Sequence, residues 1–302
     1  PILLPVSRSL LLPVSRSLGG GGDFDTVNYG QSLEGVTVNL DGSAGSGGEA
    51  EGDVVTNVEQ VIGSIFSDVI TGNNANNVFF GFGGDDQLFG GEGSDFLLGG
   101  AGADHLDGGN GILDTADYRA SQAGVTVDLI AGTGLGGDAE GDTLVNIDQL
   151  LGSALGDNLT GNDENNILFG FSGDDTLSAG IGNDFLVSGL GADTLNGGLG
   201  SDTANYLSST LGVAVDLANN VAIGGEADGD ILNSIENLIG TNITDTLLGS
   251  AENNLLFGFG GNDVFNFTAG VDTINGGADT DRVIFNGNQA DFNLVDRSDI
   301  GS

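Results

Sequence analysis

The chain has 302 residues, of which 57 are glycine, and it carries a formal charge of −39 with 44 acids against five arginines, no lysine and no cysteine. That surplus of negative charge disfavours nucleic acid and anionic membranes as partners, and the lack of cysteine excludes disulfides and thiolate zinc or redox sites. A compact state so charged repels itself, so the chain is either disordered or folds with cations bound; a hydrophobic fraction of 38% favours the second.

Residues 1–18 stand apart. LLPVSRSL occurs at Leu3–Leu10 and again at Leu11–Leu18, and this duplicated apolar segment reads as a linker, an artefact or an inter-subunit strand. It does not read as a signal peptide, because no basic stretch leads into a clean apolar run. Nor does the chain contain the roughly 18 consecutive apolar residues of a helical membrane span.

From Gly19 onward two periods are nested, and repeats decide the fold. The long period, 89 then 88 residues, is marked by Asp25-Thr26-Val27-Asn28-Tyr29, Asp114-Thr115-Ala116-Asp117-Tyr118 and Asp202-Thr203-Ala204-Asn205-Tyr206. It is marked again by GVTVNL from Gly35, GVTVDL from Gly124 and GVAVDL from Gly212. An acidic loop follows each marker, at 49–53, 138–142 and 226–230. The units run 19–113, 114–201 and 202–287, and residues 288–302 read as the start of a further repeat or a terminal segment.

The short period is nine. Blocks begin at 63, 72, 81, 90, 99 and 108, at 152, 161, 170, 179, 188 and 197, and at 240, 249, 258, 267 and 276. Position six is acidic in most blocks and position eight is large and apolar; Asn77, Asn166 and Asn254 replace the acid in the second block of each array. The cleanest copies are GGEGSDFLL from Gly90 and GGAGADHLD from Gly99. Their pattern, G-G-x-G-x-D-x-U-x, resembles the calcium-binding nonapeptide of the repeats-in-toxin (RTX), haemolysin-type family.

The resemblance implies an all-β fold, a parallel β-roll (β-solenoid) of stacked 18-residue coils with calcium ions between loops. The residues lead to the same place. Glycines allow the tight turn of the first six positions, and the last three make a short strand with one inward side chain. Two blocks complete a coil, so loops 18 apart stack on one edge. Ile70, Phe79, Leu88, Leu97 and Leu106, then Leu159, Leu168, Leu177, Leu186 and Leu195, then Leu247, Leu256, Phe265 and Ile274 form the expected apolar ladders of a solenoid core. Glu59 and Val61, Asp148 and Leu150, and Glu236 and Leu238 continue the phase upstream of each array, so the linking segments are expected to coil as well, giving one continuous rod.

Calcium takes six to eight oxygens in flexible geometry. A glycine-rich loop offers carbonyls and one carboxylate, and the loop 18 residues away offers the rest. The candidate ligands are Asp68, Asp86, Asp95 and Asp104; Asp157, Asp175, Asp184, Asp193 and Asp202; and Asp245, Asp263, Asp272 and Asp281. The acidic loops lie out of register and read equally as extra ion sites or as solvated loops. Magnesium suits such loops less well, and a single histidine, His105, leaves no zinc set; His105 itself is expected at the surface.

Catalysis is not expected. One histidine, no cysteine and no lysine leave few nucleophile–base pairs, and no H-E-x-x-H or G-x-S-x-G is present. The first functional reading is an extracellular structural protein, self-associating into a filament, sheath or layer, with a cell-surface polysaccharide as a candidate partner. The alternative is a calcium-dependent folding and secretion module of a larger secreted toxin or hydrolase. Members of the family carry a C-terminal signal for one-step (type I) export; none is recognisable here, and the natural polypeptide is expected to continue beyond Ser302.

Overall fold

The computed structural model describes residues 16–22 and 24–285. Leu3–Leu10, most of Leu11–Leu18, and the segment 288–302 lie outside the described residues. The chain forms two compact units, one up to Leu151 and one from Gly152. Each is a parallel β-roll.

In the first unit the chain alternates between two ladders. One stacks Thr26–Asn28, Gln60–Ile62, Val78–Gly83, Phe96–Ala101, Thr115–Asp117 and Gln149–Leu151, all parallel. The other stacks Thr37–Asn39, Val69–Thr71, Gln87–Gly91, His105–Gly109 and Thr143–Val145. Within the array the register is the period read from the sequence: Ile70 pairs with Leu88, Leu88 with Leu106 and Phe79 with Leu97. The strands are longer than three residues where the following turn glycines also pair, as in Phe96–Ala101.

The second unit repeats the plan. Ile167–Ser172, Phe185–Leu190, Thr203–Asn205, Asn237–Ile239, Leu255–Phe257 and Thr273–Asn275 form one parallel ladder. Opposite run Asn158–Thr160, Thr176–Gly182, Thr194–Gly200 and Ile231–Asn233, and then Ala214–Asp216, Thr246–Leu248, Val264–Phe267 and Arg282–Phe285.

The linking segments do coil, but as longer coils. Thr115 pairs with Gln149 and Leu106 with Leu144, so the chain returns in phase after extra residues that add antiparallel strands to the same sheet. They form a hairpin, Thr126–Asp128 against Thr133–Leu135, and a 3₁₀ turn at Gly137–Ala139. Ala214–Asp216 with Val221–Ile223 and the turn Gly225–Ala227 repeat this in the second unit. At the N-terminal end Ser17–Gly19, reaching into the duplicated segment, lies parallel to Val54–Thr56 of the same chain.

The inward residues are the core. Ile70, Phe79, Leu88, Leu97, Leu106, Leu159, Leu168, Leu177, Leu186, Leu195, Leu247 and Phe265 are fully buried, joined by Val61, Leu150 and Leu238 from the long coils. Ile274 is only half-buried, because the last coils have fewer neighbours. His105 is also half-buried rather than exposed, its Nδ1 2.8 Å from Thr143 Oγ1 and its ring edge-on to Phe89. Removing a fully buried leucine from so close-packed a stack leaves a cavity, so Leu177→Ala is expected to cost about 2–5 kcal/mol, and Ile274→Ala distinctly less. Urea unfolding of both variants at saturating calcium checks this; equal losses would contradict it.

Candidate metal centres

The turn aspartates are tied to each other through the backbone. The Asp68 amide donates to Asp86 Oδ1 and the Asp86 amide to Asp104 Oδ1, each at 2.8 Å. On the opposite edge the Asn77 amide donates to Asp95 Oδ1 and the Asp95 amide to Asp114 Oδ1. The second unit carries the same ladders: Asp157 to Asp175 to Asp193, Asn166 to Asp184 to Asp202, Asp245 to Asp263 to Asp281, and Asn254 to Asp272. Stacking at 18 residues thus fixes Oδ1 of each carboxylate on the amide one coil back.

Oδ2 is a different matter. In Asp86, Asp95, Asp104, Asp175, Asp184, Asp193, Asp202 and Asp263 it is buried and accepts no hydrogen bond. A buried carboxylate oxygen without a donor is costly. Burial, more than the neighbouring carboxylates, pushes Asp86 up to about 8, Asp175 to about 7, and Asp95, Asp104 and Asp202 to about 6. The protein does not supply the missing charge. Among the described residues the basic side chains are Arg16, Arg119, Arg282 and His105; Arg16 pairs with Asp53 and Arg119 with Asp117.

Several of these oxygens face a backbone carbonyl. A Cβ on Gly81 would collide with both Asp86 Oδ2 and the Gly99 carbonyl one coil on. Gly90 stands in the same way between Asp95 Oδ2 and the Gly108 carbonyl, Gly170 between Asp175 and Ser188, and Gly258 between Asp263 and Gly276. At these four positions only glycine leaves that space open, whereas Ala179 and Ser188 stand in the same place before Asp184 and Asp193. Among the described residues no three His, Cys, Asp or Glu side chains converge, so a shell here combines one carboxylate with carbonyls from stacked turns. An all-oxygen donor set on a flexible glycine backbone fits calcium and not zinc.

The model of the RTX calcium-binding nonapeptide repeat (4 copies) matches residues 62–97, 80–112, 151–186, 170–204, 239–274 and 268–288, a little over half of the chain. The chain belongs to this family. Comparison with curated proteins gave no match. Among solved structures, the extracellular lipase LipA from Serratia marcescens is similar at 19% identity, over 70% of this chain and 32% of the lipase chain, with a TM-score of 0.19; the RTX chain thus spans about a third of the lipase.

The thirteen expected ligands fall into groups. The eight with a free Oδ2 form the interiors of the columns. Asp68, Asp157 and Asp245 occupy the first turn of each array, where a hydroxyl residue replaces the second glycine. There the Ser64 amide and Oγ donate to Asp68, the Ser153 amide and Oγ to Asp157, and the Thr241 amide and Oγ1 to Asp245. Asp272 and Asp281 are half-buried; Asp272 Oδ2 lies 3.5 Å from Thr268 Oγ1.

The nine-residue period also missed ladder members. Asp114 is a rung, but one extra residue places it at position seven of the block from Gly108. Glu59, Asp148 and Glu236, which do follow the period upstream of each array, continue the opposite edge by accepting the amides of Asp25, Asp114 and Asp202. A second, outer ladder uses position five: the Asp85 amide donates to Ser67 Oγ and the Ala103 amide to Asp85 Oδ1.

The buried carboxyls of Asp86, Asp95, Asp104, Asp175 and Asp202 make the cation-free fold sensitive to pH. Their ordinary value is about 4, so between pH 4 and 8 the folded chain holds protons the unfolded chain has released. Stability without calcium is therefore greatest below about pH 4 and is lost as pH rises through the folded values of about 6 to 8. Circular dichroism of the chelated chain is expected to gain β signal on acidification from pH 8 towards pH 4. A chelated chain better folded at pH 8 would reverse the sign.

Proposed function

We propose that the chain is a calcium-binding extracellular structural repeat protein that folds when calcium fills its turns after export and self-associates into a surface fibre, sheath or layer. The observation that carries the reading is the set of buried aspartate oxygens without donors, several of them facing a carbonyl of a stacked coil, in a chain of charge −39. Asp86, Asp95, Asp104, Asp175, Asp184, Asp193, Asp202 and Asp263 would hold the ions with turn carbonyls, and calcium supplies the positive charge that lets these carboxylates stay ionised. Binding free energy then becomes folding free energy. Extracellular calcium modules bind at about 10⁻⁴–10⁻³ M, which keeps such a chain unfolded in a cytosol and folds it outside. No helix among the described residues is long and apolar enough to cross a membrane.

Self-association draws support from the sheet edges. Among the described residues Thr26–Asn28 and Thr273–Asn275 pair on one side only, and open strand edges invite another chain. Contacts that join one end to the other do not close and build filaments. Calcium lowers the repulsion that otherwise opposes them.

Two measurements test this. Chelator is expected to abolish the β signal at neutral pH, and millimolar calcium to restore it; a signal indifferent to chelator removes the calcium-dependent part. Electron microscopy and light scattering of the full chain at saturating calcium are expected to show filaments or layers. A monodisperse monomer would sink the assembly reading and favour the export module of a larger secreted toxin or hydrolase.

A further inference from the structure

Three buried acids lie outside the nine-residue period. Asp53, Asp142 and Asp230 end the three acidic loops, and two of them close a column: the Asp104 amide donates to Asp142 Oδ1 at 2.8 Å and the Asp193 amide to Asp230 Oδ1 at 2.9 Å. Their second oxygens, unlike those of the regular rungs, have donors. The Tyr118 hydroxyl donates to Asp142 Oδ2 at 2.9 Å and the Tyr206 hydroxyl to Asp230 Oδ2 at 2.9 Å, with Ser188 Oγ at 3.2 Å from the latter. The Tyr29 hydroxyl donates to Asp53 Oδ2 at 3.1 Å, and Arg16 adds its amide, Nε and Nη2 to the same carboxylate. All three tyrosines are fully buried, and each stands 24 residues before its aspartate.

The glycine opening of the regular rungs is also absent. Five residues before Asp142 stands Gly137, where a Cβ would meet Ser121 Oγ and the Ala123 carbonyl rather than the carboxylate. Gly225 before Asp230 meets Ser209 Oγ and the Leu211 carbonyl, and Gly48 before Asp53 meets Ser32 Oγ and the Glu34 carbonyl. The glycine five residues before each of these aspartates thus packs on a neighbouring turn and not on the carboxylate.

We infer that Asp53, Asp142 and Asp230 are metal-free rungs, in which a buried tyrosine hydroxyl satisfies the oxygen that regular rungs leave for a cation, and that Tyr118 and Tyr206 act as positioning residues for Asp104 and Asp193. The inference rests on the calcium reading of the regular rungs. Tyr118 holds Asp142, Asp142 holds the Asp104 amide, and Asp104 presents its Oδ2 at the end of the column. The long coil thus closes without calcium and terminates the Asp104 and Asp193 columns on a satisfied group.

The test counts calcium bound per full-length chain by equilibrium dialysis and follows thermal unfolding at saturating calcium. Asp142→Asn, which keeps an acceptor for the Asp104 amide, is expected to bind as many ions as the wild type, whereas Asp86→Asn binds fewer. Tyr118→Phe is expected to keep the ion count, raise the calcium midpoint of folding, and lower the unfolding temperature by a few degrees, because a buried carboxylate loses its donor. An ion lost in Asp142→Asn, or an unchanged midpoint and unfolding temperature in Tyr118→Phe, overturns the inference. Should Asp142→Asn fail to fold, Asp230→Asn and Tyr206→Phe give the same count. A wild type that binds no calcium refutes the calcium reading itself; a wild type that binds while Asp142→Asn loses an ion refutes this inference alone.

Discussion

Everything in this fold depends on a hydrogen bond from the amide of one turn residue to the carboxylate Oδ1 of the turn aspartate one coil later. It orders the turns, holds each carboxylate against the backbone and removes it from water. A hydrogen bond to a charged group contributes about 1.5–3 kcal/mol. Burying an ionised carboxylate with its second oxygen bare costs more than that. The ladder that organises the turns is therefore unstable by itself at neutral pH and requires a proton or a cation at Oδ2. The rise of Asp86 to about 8 expresses the same cost as proton affinity.

The apolar ladder cannot take over this role. Each coil contributes two inward side chains, such as Leu88 and Leu97, and touches only its neighbours, so stability grows one coil at a time. Glycine makes each coil entropically expensive to order. A thin core, a flexible backbone and a buried column of like charge together are the physical grounds for the proposal that folding and calcium binding form one process.

The regular arrays were legible because core position and turn aspartate obey one period; the register Ile70–Leu88–Leu106 follows directly from counting nines. The exceptions were not, and each has a local cause. Asp114 slipped to position seven through a one-residue insertion, yet the chain absorbs that residue in the turn and restores the rung. Asp142 lies 38 residues beyond Asp104, and its tyrosine 24 residues upstream; no short period links such distances, which are set by the hairpin inserted in the sheet. The first-turn aspartates carried a signal that was overlooked: Ser64, Ser153 and Thr241 stand where the interior turns have a second glycine, and a hydroxyl there serves the carboxylate in the manner of a local turn.

That position has a further consequence for how an array begins. Phe82, Phe171 and Phe259 adopt φ of 76°, 72° and 70°, a left-handed conformation that costs a side-chain-bearing residue roughly 1–3 kcal/mol. One coil on, Gly100, Gly189 and Gly277 hold the same place, and a Cβ on any of them would strike the carbonyl of the phenylalanine beneath. The phenylalanine itself escapes this clash because the turn beneath it is the serine- or threonine-closed one, whose backbone follows a different course. Phe82, Phe171 and Phe259 thus carry a side chain in this conformation directly above a turn closed by a hydroxyl. Each array has a start satisfied by Ser or Thr, and the column of each of the first two arrays ends on a rung satisfied by Tyr. The donor-free oxygens follow these starts, in coils where turn glycines let carbonyls and carboxylates converge.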